Sequence, residues 1–332
     1  MPGAHLLDRL IGDEYPKFTN DAEVRAFEQT PYRDRIAAAS TYDAIKLGAS
    51  RNPDAPAIQF LANADPADQP LVISHRDFLA GVTRAANMFH ALGVGAGDVV
   101  SFMLPLLPEA FITLFGVEAA GIVNPINPLL EPHQIEEILE AAQTKVLVTL
   151  GPMPGTDIWQ KVQQVRGKLK HLKAIVVVHG AADPANGVHS FNELMKDQPS
   201  DRLVSGRPIS AQDVAAYFHT GGTTGTPKLV RHTHENQIYQ AWAVNLILKT
   251  KPGGNLLFGM PLFHVGGSLT QVLTTLSAGG CLVVLSPAGW RNPASVKNIW
   301  GLVERFKPEG LSSVPTVLAA VLGIPPGNAD LS

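Results

Sequence analysis

The 332-residue chain predicts an α/β protein of two lobes, each a mostly parallel sheet flanked by helices. Two observations predict it. Short apolar runs (Val99–Leu104, Val146–Leu150, Ile175–Val178, Leu282–Leu285) alternate with segments of helical periodicity. Continuous apolar strands separated by helices belong to parallel sheets covered on both faces. The stretches 180–187 and 198–213 are rich in Gly, Pro, Ser and Asp, which marks a break between two such series. The expected division is an N-terminal extension over 1–40, a first lobe over 41–204 and a second over 205–332.

Each element has a local cause. Ser74-His75-Arg76-Asp77 reads as a capping box. Phe78, Val82, Ala85, Phe89 and Leu92 follow at helical spacing, and Gly93 can end that helix. Val99–Leu104 is a buried strand, Pro108–Ala120 a helix and Ile122–Asn124 a short strand. Ile135, Ile138, Leu139 and Ala142 mark the next helix, before the strands Val146–Leu150 and Ile175–Val178. In the second series Val214–Phe218 is a strand. Ile238, Trp242 and Leu246 fall at i, i+4, i+8 on a helix. Leu256–Phe258 and Leu282–Leu285 are strands. Asn292-Pro293 opens a helix carrying Val296, Ile299, Trp300, Val303 and Phe306 on one face, with proline at its first position. Tyr15, Phe18, Phe27 and Tyr32 suit either an extension wrapped on the second lobe or solvated irregular structure.

Bulk properties exclude several classes. A net charge of −3 and no dense Lys/Arg run leave no footprint for nucleic acid. Cys281, the sole cysteine, sits in an apolar run and cannot form an internal disulfide. Met1–Glu14 carries charges and lacks the continuous apolar core of a secretory signal, so a cytoplasmic setting is expected. Residues 252–290 contain no Asp, Glu, Lys or Arg. Pro261, Pro287 and paired glycines interrupt them, so a buried core is expected rather than a spanning helix. His232 and His234 lie near His219 in sequence, but no further ligand stands at fixed spacing. No metal site is expected there, and Thr233-His234 reads as a helix start.

The segment 220–228 packs three glycines, four threonines and a lysine directly after a strand. Glycines let backbone N–H groups approach an anion, hydroxyls add donors, and an ammonium supplies a point charge. It is not a Walker A loop, because Pro227 precedes Lys228 and Leu229-Val230 looks extended where a helix should open. From Thr220 to Lys228 the chain resembles the phosphate loop of the adenylate-forming (AMP-binding) superfamily, in its acyl-CoA synthetase branch. Leu229 departs from the glycine common there. The resemblance runs from about Thr41 to Ser332 and takes in Gly116–Gly121 followed by Pro125-Ile126-Asn127-Pro128.

A second segment, Met260-Pro261-Leu262-Phe263-His264-Val265-Gly266-Gly267, resembles the family's acyl-side crossing, where a histidine or aromatic lies between acyl group and nucleotide. It has no carboxylate to pair with a substrate ammonium, which favours an uncharged acyl tail over an amino acid. Ser312–Thr316 resembles a third segment bordering the acyl pocket. The resemblance implies catalytic roles for Lys228 and His264. It implies phosphate binding by Thr220, Gly221, Gly222, Thr223, Thr224, Gly225, Thr226 and Lys228. The acyl pocket it implies takes Phe263, His264, Val265, Gly266, Gly267, Ser313 and Pro315.

The activity so implied is ATP-dependent ligation of a small carboxylic acid to coenzyme A through an acyl-adenylate, with Mg²⁺ on the triphosphate. A fatty acid is the first expectation, with aryl and short-chain acids as alternatives. A non-catalytic nucleotide-binding module is the alternative from another class. Family members continue past the position of Ser332 into a β-barrel subdomain and a C-terminal domain. Those parts carry the adenine-stacking segment, the Mg²⁺ glutamate, a ribose-binding aspartate and the adenylation lysine. The chain therefore reads as the N-terminal portion of the fold, expected to bind phosphates weakly and complete neither step alone. Oligomeric state has no signature in the sequence.

Overall fold

The computed structural model describes residues 16–36, 38–220 and 228–331. They form two compact units, each discontinuous in sequence: the described residues within 1–77, 235–260 and 266–332 make one, those within 78–234 and 261–265 the other. A single boundary near Ser205 does not describe this division.

The first unit opens with α1 (Asp21–Glu28), capped by Asn20, and α2 (Thr41–Arg51), capped by Ser40. Both caps accept from the N–H three residues on, satisfying a donor the helix leaves open. β1 (Pro56–Phe60) and β2 (Leu71–Ser74) pair antiparallel. α3 (His75–Ala91) begins at the expected capping box. Ser74 Oγ accepts from Asp77 N at 3.0 Å and donates to Asp77 Oδ2 at 2.7 Å. Gly93 ends the turn after α3 at φ +81°, a conformation that favours glycine.

Most of α3 and everything to residue 234 belong to the second unit. Its elements are β3 (Val99–Met103), α4 (Pro108–Ala120), β4 (Ile122–Pro125), α5 (Pro132–Ala141), β5 (Thr144–Leu150), α6 (Ile158–Val165), β6 (Ala174–Val178), β7 (Val188–Ser190), α7 (Phe191–Lys196), β8 (Val214–His219) and β9 (Leu229–Thr233). They build a seven-stranded sheet in the order β7-β6-β5-β3-β4-β8-β9. Neighbours run parallel except β8 and β9. Every residue of β3, β4 and β6 is buried, as a sheet covered on both faces requires. Asn124 Nδ2 donates to Ser101 Oγ at 2.8 Å, and Ser101 Oγ meets Thr144 Oγ1 at 2.7 Å, so buried polar side chains lock β4, β3 and β5 in register. α3 packs on α4 through the edge-on rings of Phe78 and Phe115, 6.2 Å apart.

The chain returns to the first unit with α8 (His234–Leu248), β10 (Asn255–Phe258), a π-helical stretch over Gly266–Leu273, α9 (Thr274–Ser277) and β11 (Cys281–Val284). α10 (Pro293–Lys297), α11 (Ile299–Phe306) and α12 (Pro315–Leu322) follow. Its sheet has the order β10-β11-β1-β2, with Ile58 opposite Leu282 in a parallel pair. Two of its four strands thus come from the segment that the sequence assigned to the first lobe. The single helix expected after Asn292 is two: Asn298 breaks it, its Nδ2 donating to Ala64 O at 2.9 Å. Pro293 does stand at the first helical position.

The extension packs on α8. Phe27 stacks on Trp242 at 6.2 Å with planes 13° apart, and Tyr32 lies edge-on to Tyr239 at 5.0 Å. The Tyr32 hydroxyl and the Arg33 guanidinium both reach the Glu235 carboxylate. Phe18 meets Phe27 edge-on, and Tyr15 lies outside the described residues. Cys281 is buried, and burial pushes its thiol up to about 11. Among the described residues no helix is long and apolar enough to cross a membrane.

Candidate functional site

β8 ends at His219 and β9 begins at Leu229, with these two residues opposite each other. One residue further on, the Thr220 N–H donates to Lys228 O at 2.9 Å. The Thr/Gly segment is therefore flanked by two exposed residues, Thr220 and Lys228, whose backbones are joined by one hydrogen bond. Leu229-Val230 is extended, so Lys228 enters a strand and does not open a helix. Gly221, Gly222, Thr223, Thr224, Gly225 and Thr226 lie outside the described residues.

β4 runs beside β8, with Val123 opposite Ala216, and both strands deliver their carboxyl ends to the same sheet edge. Ligands of open parallel sheets bind at that edge. The turn after β4 is held at four points. Ile126 N donates to Phe102 O at 2.9 Å, and Leu129 N donates to Asn127 Oδ1 at 3.0 Å. Lys161 Nζ donates to Pro128 O at 3.0 Å while paired with Asp157 at 3.1 Å. The Asn127 N–H donates to His219 Nε2 at 3.3 Å. A nitrogen that accepts carries no proton, so the neutral ring holds its proton on Nδ1. Burial pushes His219 below the ordinary histidine value, which keeps that neutral form.

Phe263 stacks on the His219 ring, centroids 6.1 Å apart and planes 21° apart. The second unit thus gathers Thr220, Lys228, His219, Asn127 and Phe263. His264 follows Phe263 at an exposed position, its N–H donating to Pro261 O at 3.3 Å to close a turn. Val265 ends the turn, 36% exposed. The other predicted acyl-side residues belong to the first unit. Gly266 and Gly267 open the π-helical stretch, a geometry concentrated at functional sites. Ser313 Oγ meets Met260 Sδ at 3.9 Å, and Gln271 Nε2 donates to Ser312 O at 3.2 Å and Ser312 Oγ at 3.3 Å. Pro315 begins α12 at its first position.

His219, Asn127, Lys161 and Gln271 are the residues sequence reasoning missed as part of these clusters. His219 had one available signal, its place directly before Thr220. Lys161 and Gln271 had none, since their partners Pro128 and Ser312 are far along the chain. His232 and His234, two apart, part ways. His232, in β9, packs against Phe218 of β8 at 5.1 Å, whereas His234 opens α8 with its N–H on Asp213 O at 3.1 Å.

Burial also holds His75 and His232 below the ordinary value of 6.5, although for His75 the Gly279 and Gly280 backbone pulls the other way. A histidine whose folded value lies below its unfolded one stabilises the fold above about pH 6.5 and loses that contribution as pH falls towards the folded value. The urea midpoint should therefore hold steady from about pH 8 to 7 and decline from about pH 6.5 to 5. A midpoint that does not move over that range would contradict the burial of these rings.

Marinolic acid–CoA ligase from Pseudoalteromonas sp. (strain SANK 73390) is 34% identical over 92% of this chain and 47% of its own length. Crotonobetaine/carnitine–CoA ligase from Escherichia coli O1:K1 / APEC is 30% identical over 75% of this chain and 46% of its own. The chain spans about half the length of the curated relatives it matches. The anthranilate CoA ligase AuaEII, solved with anthranoyl-AMP, superposes with a TM-score of 0.76 at 23% identity, over 91% of this chain and 55% of that one. The N-terminal domain of FACL13 from Mycobacterium tuberculosis does so with a TM-score of 0.73 at 20% identity, over 89% and 68%. Both likenesses show the fold. The model of the AMP-binding enzyme family matches residues 46–331, taking in both sheets and the His219 and Gln271 clusters, so the chain belongs to the AMP-binding enzyme family.

Proposed function

We propose that this chain is the phosphate-loop part of an ATP-dependent acid–thiol ligase. The observation that carries the proposal is the meeting, at one sheet edge, of the Thr220–Lys228 closure with the Phe263 turn through His219. One side offers a cation and a hydroxyl to phosphate oxygens, and the other offers an aromatic face and an exposed histidine to an acyl group. In the first step a carboxylate oxygen attacks the α-phosphorus of ATP and the bond to the β-phosphate oxygen breaks, giving acyl-AMP and pyrophosphate. In the second, the coenzyme A sulfur attacks the acyl carbon and AMP leaves. Both reactants of the first step are anions, so Lys228 and the neighbouring hydroxyls must first offset the triphosphate charge. The donors described here complement phosphate oxygens and form no ligand set for Mg²⁺. His264, one residue from the stacked Phe263, would donate to the acyl-adenylate carbonyl in this reading.

Because the chain spans about half the length of its curated relatives, the reaction is proposed for a protein of their length that contains it. The chain itself is expected to remain at background. For the acid, an uncharged tail follows from the absence of a carboxylate in Phe263–Gly267, with a fatty acid first. Aryl and short-chain acids are the alternatives.

Carboxylate-dependent ATP–pyrophosphate exchange over fatty, short-chain and aryl acids tests all of this. Exchange that depends on one class, in the longer protein and not in the 332-residue chain, is the expected result. A folded longer protein that binds ATP yet exchanges with no acid would be a nucleotide-binding module and not a ligase. Exchange by the 332-residue chain alone would show that nothing further is needed for the first step.

A further inference from the structure

Two segments remote in sequence meet at His219, each on a different part of its ring, and its backbone leads into a third feature. The Nε2 edge takes the Asn127 N–H, the ring face takes Phe263, and the backbone continues directly into Thr220. The Asn127 side chain does not compete for the ring, since its Oδ1 accepts from Leu129 N. Lys161 braces the same turn from the other side through Pro128 O. The ring is thus oriented by a hydrogen bond in its plane and then offers its face to Phe263, next to His264. A phenylalanine at this position would stack without being oriented. A glutamine would accept without stacking.

We propose that His219 is a positioning residue: with Nδ1 protonated and Nε2 accepting, it anchors the Phe263–His264 turn to the strand end that leads into the phosphate segment. This rests on the ligase reading above. His219 transfers no proton and touches no reacting atom in the proposal. It sets where the acyl-side turn stands relative to the residues that receive the triphosphate.

The test uses the longer protein with the acid that the exchange screen identifies, in His219→Phe, His219→Gln and His219→Ala variants. Loss of an oriented aromatic contact should raise the KM for the acid about tenfold in the Gln and Ala variants. The KM for ATP should stay within about threefold, because the phosphate donors are untouched. His219→Phe should recover only part of the acid KM, because it restores the stacking on Phe263 without the hydrogen bond from Asn127 that orients the ring. Equal falls in kcat and Tm across all three variants, without recovery by Phe, would mean a merely structural residue and overturn the proposal, as would wild-type kinetics in His219→Ala. The ring ¹⁵N shifts give a readout independent of turnover. A protonated Nδ1 and a hydrogen-bonded, unprotonated Nε2 are expected, and a protonated Nε2 overturns the anchor. Should the wild type exchange with no acid at all, the ligase reading falls, and the nitrogen shifts still decide whether the anchor exists.

Discussion

Lys228→Ala, in a protein of the relatives' length, is expected to lower carboxylate-dependent ATP–pyrophosphate exchange by about 10²–10³-fold while leaving Tm almost unchanged. The two halves of that expectation have separate causes. Lys228 is tied to Thr220 through its backbone carbonyl, which alanine retains, so the closure of the segment survives. Its side chain is exposed and forms no ion pair among the described residues, so little packing is lost. What disappears is a positive charge at the edge where β4 and β8 end, which in the proposed reaction receives two anions. Lys228→Arg should recover part of the rate, since the charge returns with a different donor geometry. Exchange at the wild-type rate in the alanine variant would remove Lys228 from the phosphate site.

Gly48→Ala is expected to cost about 3 kcal/mol of stability or more, from overpacking. In an exposed helix the same change normally stabilises by up to ~1 kcal/mol. The sign reverses here because α2 lies against α9 with no room for a methyl group. A Cβ on Gly48 would stand 1.8 Å from Leu276 O and 3.2 Å from Ser277 Cα. Those are backbone atoms, which cannot rotate away as a side chain would. Gly97→Ala is the control: a Cβ there meets nothing within 4 Å, so its change should stay within about 0.5 kcal/mol. Urea unfolding of both variants gives the comparison. Equal midpoints would show that α2 and α9 do not approach this closely.

The local punctuation of this chain was legible because each signal acts within a few residues. The Ser74–Asp77 box, the positive-φ Gly93, Pro108 and Pro293 at first helical positions and the apolar runs of β3, β5 and β6 all stand where expected. Asn298 shows where that logic stops. The periodicity from Val296 to Phe306 is helical throughout, but a hydrogen bond to Ala64, more than two hundred residues away, decides that the helix breaks. The Thr/Gly composition likewise pointed to a phosphate site, whereas the partner of the preceding His219 could not be read from it.

By itself, then, the sequence determined the α/β class, the family through its Thr220–Lys228 segment, and which turns carry polar and aromatic groups, because composition and short-range spacing encode backbone conformation and burial directly. Only the tertiary structure decided that β1 and β2 join a sheet with β10 and β11, and that Asn127, His219 and Phe263 form one cluster. Sheet partners are chosen by matching whole buried faces, and a shared anchor is chosen by a few hydrogen-bonding and stacking distances. Neither leaves a periodic mark along the chain.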